Sequence, residues 1–313
     1  MITRSKNNIH KPKILSDHHI RYPIPKALMT TLQPQNKEPT CYSTAVKHHH
    51  WREAMNKEFD ALLVNGTWTL VPKPPNANLV GCKWVYKVKR KANGNIERFK
   101  AHLVAKGFHQ QKGVDFGETF SPVVKPPIVR LVLSLAVSHG WYLRQIDVQN
   151  AFLHSLLHKD VFMTQPPGFI HPQLPHQVCK LQRSLYSLRQ APRVWFSRLT
   201  DQLQAIGFIG SQADHSLYIY HQGSTLIYLL IYVNDIILAG ANMQSINRVI
   251  TLLHNKFAVK DIGDLTFFLG IEAIRDASGL HLSQRRYILD LLTRGQMDKA
   301  KSCLTPISTF QSL

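Results

Sequence analysis

The chain has 313 residues and 44% of them are hydrophobic, a combination that excludes wholesale disorder and fits two or more packed subdomains. Its 38 Lys and Arg residues face only 19 Asp and Glu residues, which gives a formal net charge of +19. Such an excess favours a polyanionic partner, most simply a nucleic-acid backbone. The alternative is a basic surface without a specific partner.

Cysteine spacing and the N-terminus bear on the compartment. The four cysteines lie far apart and form no C-x-x-C pair, which argues against a zinc ribbon and gives no reason to expect disulfides. The N-terminus lacks the apolar segment of a secretory signal, and the longest apolar run, TLIYLLIYV, is too short to span a bilayer. We therefore expect an intracellular protein of the cytoplasm or nucleus that does not bind a membrane.

The first elements along the chain are a tail and a helix. Residues 1–45 are polar, basic and proline-containing, which is typical of a linker or tail. A helix is predicted from about Trp51 to Leu63, before an Asn-Gly pair that ends it. The three histidines at 48–50 could bind a metal, but no other ligand cluster accompanies them, so we interpret them as structurally idle.

A basic hairpin follows. Apolar residues alternate from Trp84 to Val88, the sequence ANGN predicts a turn, and a second alternating strand returns through Phe99 to Ala105. A two-stranded ribbon with alternating cations can lie along phosphates, and the alternative is a solvated edge ribbon. The basic residues are Lys83, Lys87, Lys89, Arg90, Lys91, Arg98, Lys100 and Lys106.

The remaining pattern interleaves helices and strands. Helical spacing over residues 128–136, 191–208 and 246–257 predicts three amphipathic helices, and QNAFLHSLL predicts a fourth. The run WYLRQIDV predicts a strand that ends near Asp147. We therefore expect an α+β fold built around an antiparallel sheet.

Two acidic positions are candidates for metal chemistry. Asp147 lies at a strand end, and LIYLLIYVNDIILAG predicts a hairpin with Asn234 and Asp235 at its turn. Carboxylates on neighbouring strands can hold two Mg²⁺ ions roughly 3.5–4 Å apart for phosphoryl transfer. From the residues alone, the hairpin is a catalytic turn, a damaged one, or an ordinary Asn-Asp turn.

A series of sequence blocks, in one order and nearly end to end, resembles the reverse transcriptase domain of copia-type retrotransposons. The blocks are WREAMNKEFDALLVNGTWTLV, KWVYKVKR, ERFKAHLVAKGF, ETFSPVVK, QIDVQNAFLH, QPPGF, LYSLRQAPRVW, YVNDIILAG, DIGDLTFFLGIE and LSQRRYILDLL. The resemblance implies a right-hand polymerase with an antiparallel palm sheet, its fingers and palm over 46–280 and a truncated thumb or connection over 281–313. It also implies that the ribonuclease H, protease and integrase of the polyprotein are absent.

The resemblance also implies a catalytic centre. Its positions are Asp147, Asn234 and Asp235, with Asp147, Asp235 and the Val148 backbone carbonyl as ligands of two Mg²⁺ ions, for which Mn²⁺ is an alternative. By a looser match, Lys260 donates a proton to pyrophosphate.

Substrate contacts follow from the same resemblance. Phe152 lies under the incoming sugar and excludes a 2′-hydroxyl. The residues that cradle the templating base and the nucleotide are Arg189, Gln190 and Pro192, with Lys100 as a looser triphosphate contact. The primer grip is Phe268, Leu269 and Gly270.

Departures from the family pattern are informative. Asn234 stands where the family has the first Asp of its Tyr-x-Asp-Asp turn, and a neutral amide oxygen is a weaker ligand for a hard dication. We expect a rate loss of at least ~10²–10³ from this change. The other departures are His102 for Arg, Ser187 for Gly, Pro127 for Thr, and Ser155-Leu156 for Gly-Asp.

The expected function is RNA-directed DNA polymerisation, the addition of a deoxynucleoside monophosphate to a primer 3′-OH with release of pyrophosphate, impaired at Asn234. The implied partners are an RNA or DNA template with its primer and deoxynucleoside triphosphates. Two alternatives stay open at this stage: a catalytically inactive nucleic-acid binder, and a truncated relic of a retroelement that folds poorly. The oligomeric state is not predicted.

Overall fold

A computed structural model describes residues 13–14, 20–21, 38–90, 95–297 and 300. The helices are α1 Tyr42–Ala45, α2 His49–Val64, α3 Pro126–Ser138, α4 Ala191–Ile206, α5 Met243–His254 and α6 Arg285–Arg294. The strands are β1 Lys13–Ile14, β2 Ile20–Arg21, β3 Trp68–Val71, β4 Leu79–Val80, β5 Cys82–Arg90, β6 Ile96–Ala105, β7 Tyr142–Val148, β8 Leu156–Met163, β9 Val178–Arg183, β10 Ile209–Gly210, β11 Leu217–Gln222, β12 Thr225–Tyr232, β13 Asp235–Gly240, β14 Val259–Asp264, β15 Phe267–Phe268, β16 Ile271–Asp276 and β17 Gly279–Ser283.

The first part of the chain packs α2 against the β5–β6 ribbon. Alternation along β5 buries Cys82, Trp84 and Tyr86, while the intervening side chains point outward. Trp51 of α2 is buried in the same core and makes an edge-on contact with Tyr86, with ring centroids 5.2 Å apart. This core also includes side chains from a four-stranded sheet of order β3-β9-β8-β4, which connects it to the rest of the chain.

A six-stranded sheet of order β10-β11-β12-β13-β7-β14 forms the centre of the molecule, and all its neighbouring strands run antiparallel. One face packs on α4 and α5 through a buried cluster that includes Ile146, Trp195 and Ile246. The other face packs on α3 and β15–β16 through a cluster that includes Val132 and Ile237. The neighbouring strands β7 and β13 are therefore supported from both faces.

A three-stranded sheet of order β15-β16-β17 and the helix α6 follow. Together with α3 they line a cavity of about 680 Å³ whose walls include Val129, Phe268 and Ile288. None of the residues of α6 is buried. None of the helices in the described part of the chain has the length and hydropathy that a bilayer crossing requires.

Most predicted elements are confirmed. The helices predicted from Trp51, over 128–136, over 191–208 and over 246–257 correspond to α2, α3, α4 and α5, and the strand predicted before Asp147 is β7. The basic hairpin is the β5–β6 pair. Most of its predicted turn ANGN lies outside the described residues, as does most of the predicted tail 1–45.

Two predictions are wrong. QNAFLHSLL does not form an α-helix: a short 3₁₀ helix covers Ala151–His154, and β8 starts at Leu156. The run carries helix-like apolar spacing, but β8 pairs with both β4 and β9, so sheet pairing overrides the local pattern. The second wrong prediction placed Asp235 in the hairpin turn together with Asn234. Asp235 pairs with Tyr232 and therefore belongs to β13 rather than to the loop.

Candidate active site at the β7–β13 strand ends

The β12–β13 hairpin closes with a two-residue loop, Val233 and Asn234, between the paired residues Tyr232 and Asp235. Val233 has a φ of 55°, in the left-handed region that β-branched residues rarely adopt. Its carbonyl oxygen accepts a hydrogen bond of 2.7 Å from the indole N–H of the buried Trp195. A core side chain of α4 thus helps to fix a strained turn, a kind of strain that concentrates at functional sites.

Asp147 and Asp235 are direct cross-strand partners in the register of β7 and β13. The Asn234 side chain lies beside this pair, and its Nδ2 donates a short hydrogen bond to Oδ1 of Asp147. The backbone completes the link, since the Val148 N–H donates to the Asn234 carbonyl oxygen at 2.9 Å. The three predicted catalytic positions therefore meet at one strand end.

The charges at this strand end are close enough to interact. Burial raises the pKa of the Asp235 carboxyl above its ordinary value, and the negative charge of Asp147 raises it further. Within the described residues, no group of three or more His, Cys, Asp or Glu side chains comes together as a metal site. The donor set of two carboxylates and backbone carbonyls consists of oxygens, so it fits Mg²⁺ in kind, but it has one carboxylate fewer than the family pattern.

A row of side chains crosses the sheet at this level. Lys260 of β14 pairs with Asp147, which pairs with Asp235, which pairs with Tyr232. Lys260 is exposed, so its ammonium group is accessible beside the carboxylates. Tyr232 extends the row to the β15–β16 turn, because its ring lies 6.4 Å from that of Phe268.

Phe152 lies in the 3₁₀ helix that follows β7 and is half-buried. Asn150, with a φ of 51°, turns the chain into that helix. The Phe152 ring meets the edge of the Tyr186 ring at 5.0 Å. Burial raises the pKa of the Tyr186 hydroxyl to about 12, with smaller contributions from the charges of Glu58 and Asp147. Phe152 and Tyr186 therefore form an aromatic wall within electrostatic range of the carboxylate pair.

Lys100 lies on the outward face of β6, opposite Lys87 of β5. Burial and the neighbouring Arg98 lower the pKa of the Lys100 ammonium group, while Glu58 and Asp147 act in the opposite direction. The outward face carries Lys83, Lys87, Lys89, Arg98, Lys100 and His102.

Arg189 and Gln190 lie at the start of α4, and their hydrogen bonds go to residues 107–115 rather than to Asp147 or Asp235. Arg189 is exposed, whereas Gln190 is only 6% exposed. Pro192 occupies the first turn of α4, and its carbonyl accepts a weak bond from Ser121 at 3.4 Å. The predicted nucleotide cradle is therefore present as one segment, but its two polar side chains face different surroundings.

The predicted primer grip forms the tight turn between β15 and β16. Phe268 is 5% exposed and belongs to the core beneath the sheet. Leu269 and Gly270 form the turn itself, with φ values of 52° and 81°, which is typical of a two-residue hairpin loop. Leu269 is the exposed tip, so only part of the predicted grip is available for contact.

Several site residues were missed by sequence reasoning. Trp195 lies in the amphipathic helix predicted over residues 191–208, and nothing in helical spacing signals its bond to the β12–β13 turn. Tyr186 lies within the matched block LYSLRQAPRVW, but no periodicity singles it out. The pair His102–Glu58, with Nδ1 to Oε1 at 3.0 Å, is half-buried beside Tyr186 and joins two distant parts of the chain.

Comparisons with known proteins identify the family of the chain. The family described as reverse transcriptase (RNA-dependent DNA polymerase) matches residues 65–309. The chain is 45% identical over its whole length to a retrovirus-related Pol polyprotein from transposon RE1 of Arabidopsis thaliana, and 43% identical to that from transposon RE2 of the same plant. In both cases the chain spans about a fifth of the relative, 21% of its length.

A solved structure is also similar. It is an apo telomerase from Candida tropicalis, truncated from its C-terminal domain, with a TM-score of 0.40 and 9% sequence identity over 74% of this chain and 60% of that chain.

Proposed function

Because the chain belongs to the reverse transcriptase (RNA-dependent DNA polymerase) family, whose pattern it matches over residues 65–309, we propose that it is a primer–template-binding polymerase domain whose catalytic turn is impaired at Asn234. Its full-length similarity to the two plant Pol polyproteins identifies the element as copia-type. In this proposal the six-stranded sheet is the palm of a right-hand polymerase and the β5–β6 ribbon belongs to its fingers.

The observation that carries the proposal is the contact between Asn234 and Asp147. Asp147 and Asp235 pair across β7 and β13, as the two carboxylates of a nucleotidyl-transfer site require. The third carboxylate is replaced by an amide whose N–H donates to Asp147, so one of the oxygens that would face a cation is already hydrogen-bonded. A bound Mg²⁺ ion supplies activation of the primer 3′-hydroxyl and neutralises the triphosphate, and the residues that would hold it are Asp147, Asp235 and the Val148 carbonyl.

The surrounding side chains take substrate roles in this proposal. Phe152, whose ring contacts the edge of the Tyr186 ring, would lie under the incoming sugar and exclude a 2′-hydroxyl. Lys100 would offer a charge to the triphosphate from the ribbon. Lys260, the cross-strand partner of Asp147, would donate a proton to the leaving pyrophosphate. The reaction is the addition of a deoxynucleoside monophosphate to a primer 3′-OH.

Primer extension on an RNA template, with Mg²⁺ or Mn²⁺, tests the proposal. We expect Asn234→Asp to extend about 10²–10³ times faster than the chain with Asn234, because the missing charge is restored beside Asp147. A chain that also carries Asp147→Asn is the inactive control. Equal rates from the two forms at 234 would contradict the impairment, and extension by neither form would mean that other departures have also disabled the site.

A second candidate function is nucleic-acid binding without catalysis. It is favoured by the net charge of +19 and by the cationic outward face of the β5–β6 ribbon. It predicts primer–template binding that weakens steeply as salt rises, with no extension by the chain with Asn234. Titration at two salt concentrations, after a thermal melt that checks for cooperative unfolding, distinguishes this candidate from a relic that does not fold.

A further inference from the structure

A buried amide network joins the loop after β6 to the start of α4. Gln190 Nε2 donates to the Asp115 carbonyl oxygen at 3.1 Å, and Gln190 Oε1 accepts from Gln110 Nε2 at 3.0 Å. Gln110, Asp115 and Gln190 are 7%, 2% and 6% exposed. Both ends of the Gln190 amide are thus engaged inside the protein, which leaves this side chain poorly placed to contact a nucleotide.

Asp115 anchors the far side of the same network. Its Oδ2 accepts a bond of 2.7 Å from the Gln111 N–H and one of 2.5 Å from Asn78 Nδ2. These bonds fold residues 111–115 into a closed turn that presents the Asp115 carbonyl to Gln190. The buried side chains of this network are therefore hydrogen-bonded, as buried polar groups require.

The network ends at Arg189, which it holds by its backbone and by its side chain. Gln110 Oε1 accepts a bond of 2.9 Å from the Arg189 N–H, and Arg189 Nε donates to the Gly107 carbonyl at 3.1 Å. The guanidinium carbon lies 5.7 Å from the centre of the Phe116 ring, within the range of a cation–π contact. Within the described residues, no hydrogen bond or ion pair takes the two Nη groups.

Close backbone packing makes the arrangement rigid. A Cβ at Gly107 would collide with the Ser187 carbonyl oxygen, so the loop and the turn before α4 approach as closely as backbone allows. The Ala105 N–H also donates to the Tyr186 carbonyl at 3.0 Å, which ties the end of β6 to the same turn. A guanidinium group held in this way loses little conformational freedom on binding.

We infer that Gln190 and Gln110 are positioning residues that hold Arg189 ready to bind a phosphate of the primer–template or of the incoming nucleotide. A guanidinium fork matches a phosphate with two parallel hydrogen bonds, and the exposed Nη edge of Arg189 is the part left open for it. This inference rests on the proposed function. It assigns to Gln190 an indirect role through Arg189, in place of the direct nucleotide contact that the family resemblance implied.

The test is a double-mutant cycle on binding. Gln190→Met keeps the length of the side chain and removes its hydrogen bonds, and Arg189→Ala removes the group that it positions. We expect Arg189→Ala to weaken primer–template binding about tenfold and Gln190→Met about threefold, with the double variant no weaker than Arg189→Ala alone. Fluorescence anisotropy measures Kd, with and without a deoxynucleoside triphosphate, so that loss of nucleotide-dependent tightening alone assigns the phosphate to the nucleotide.

Controls separate positioning from stability. Gln204→Ala, at an exposed glutamine of the same helix, should leave both Kd and melting temperature unchanged. Gln110→Met removes the bond to Gln190 and also the bond to the Arg189 N–H, and it serves if Gln190→Met does not fold. Multiplying effects in the double variant, or a lower melting temperature with unchanged Kd, would overturn the inference alone. Absence of binding by the unsubstituted, folded chain would overturn the proposed function and the inference together.

Discussion

Ser187 has a φ of 68°, in the left-handed region where a side chain is strained and glycine is not. It replaces the glycine that the family resemblance places here, and its carbonyl oxygen lies so close to Gly107 that a Cβ at residue 107 would collide with it. The sequence therefore identified the replacement of glycine by Ser187, but the energetic cost of this replacement comes from the left-handed backbone angle. Such a cost is of the order of 1–2 kcal/mol.

Ser187→Gly should therefore stabilise the protein by about 1 kcal/mol, since removal of the strain is partly offset by the greater freedom of glycine in the unfolded chain. Urea denaturation measures the change in the free energy of unfolding. Gly107→Ala is the matched opposite and should destabilise the protein. A neutral or destabilising Ser187→Gly would mean that the left-handed conformation costs nothing here.

Cys41 differs from the two buried cysteines of the described chain. Hydrogen bonds with the hydroxyls of Ser43 and Thr44 lower the pKa of the Cys41 thiol to about 7. Burial raises the pKa of Cys82, and it raises that of Cys179 to about 12. The exposed thiol therefore becomes a thiolate as the pH rises through neutrality, while the buried ones remain protonated.

We expect iodoacetamide to alkylate Cys41 with a rate that rises through a midpoint near pH 7 and then levels off. Peptide mass spectrometry of the native protein follows each cysteine separately. Cys82 and Cys179 should stay unmodified over the same range, and both should react once the protein is denatured. A midpoint for Cys41 above pH 8.5, the ordinary value for a thiol, would contradict the role of the two hydroxyls.

At the scale of elements, the β5–β6 ribbon is amphipathic. Its inward side chains are apolar and mostly buried, and its outward face combines Lys83, Lys87, Lys89, Arg98, Lys100 and His102 with Val85 and Val104. Lys89 pairs with Arg98 across the ribbon, so two charges lie side by side despite their repulsion. A cross-strand pair of like charges is destabilising, and a phosphate bound over Lys89 and Arg98 would offset their repulsion.

Neutralising Lys89 and Arg98 to Gln should weaken primer–template binding at all sequences and make it less dependent on salt. Each phosphate contact contributes about 0.7–0.9 to the slope of log Kd against log salt concentration, so the slope should fall by about 1–2. Lys57→Gln, at an exposed lysine of α2, is the control and should leave the slope unchanged. A slope unaltered by the ribbon variant would favour the solvated ribbon.

At the same scale, local sequence patterns predicted most helices and strands correctly, but they did not predict which distant residues pair with each other. Helical spacing predicted α3 and α5 because their apolar stripes pack on the central sheet, and period-two alternation predicted β5 because its apolar face packs on α2. Helical spacing gave a wrong prediction at QNAFLHSLL, where strand pairing determined the conformation. The amide network of Gln110 and Gln190 joins residues 80 positions apart, so no spacing rule could reveal it.

At the scale of the whole molecule, the candidate site exists only because the fold brings two distant segments together at the ends of β7 and β13. The antiparallel register of β7 and β13 brings together Asp147 and Asp235, which are distant in sequence. The sequence supplied these candidates as acidic residues at a predicted strand end and a predicted turn, and again through the family resemblance, whereas their alignment requires the sheet. The Asn234 amide then stabilises the pair without a cation, by a hydrogen bond to Asp147.

Asn234→Asp should consequently lower the melting temperature in EDTA, by about 2–4 °C, because a third carboxylate replaces a hydrogen-bond donor beside two others. Millimolar Mg²⁺ or Mn²⁺ should restore the melting temperature of this variant, since ligand binding stabilises the folded state, and should leave the chain with Asn234 nearly unaffected. Differential scanning calorimetry measures both. Equal responses of the two forms to the cation would contradict a loss of metal affinity at Asn234.

The hydrogen bond between Asn234 and Asp147 also has an evolutionary consequence. Codons for asparagine and aspartate differ at one base, so a single transition exchanges the two residues. Because the amide holds the turn in place and Trp195 fixes it from the core side, we expect the form with Asn234 to keep the backbone that an aspartate at this position needs. Under the proposed impairment, loss of the carboxylate is reversible in one mutational step, so a copy of the element with Asn234 retains a direct route back to the charged turn.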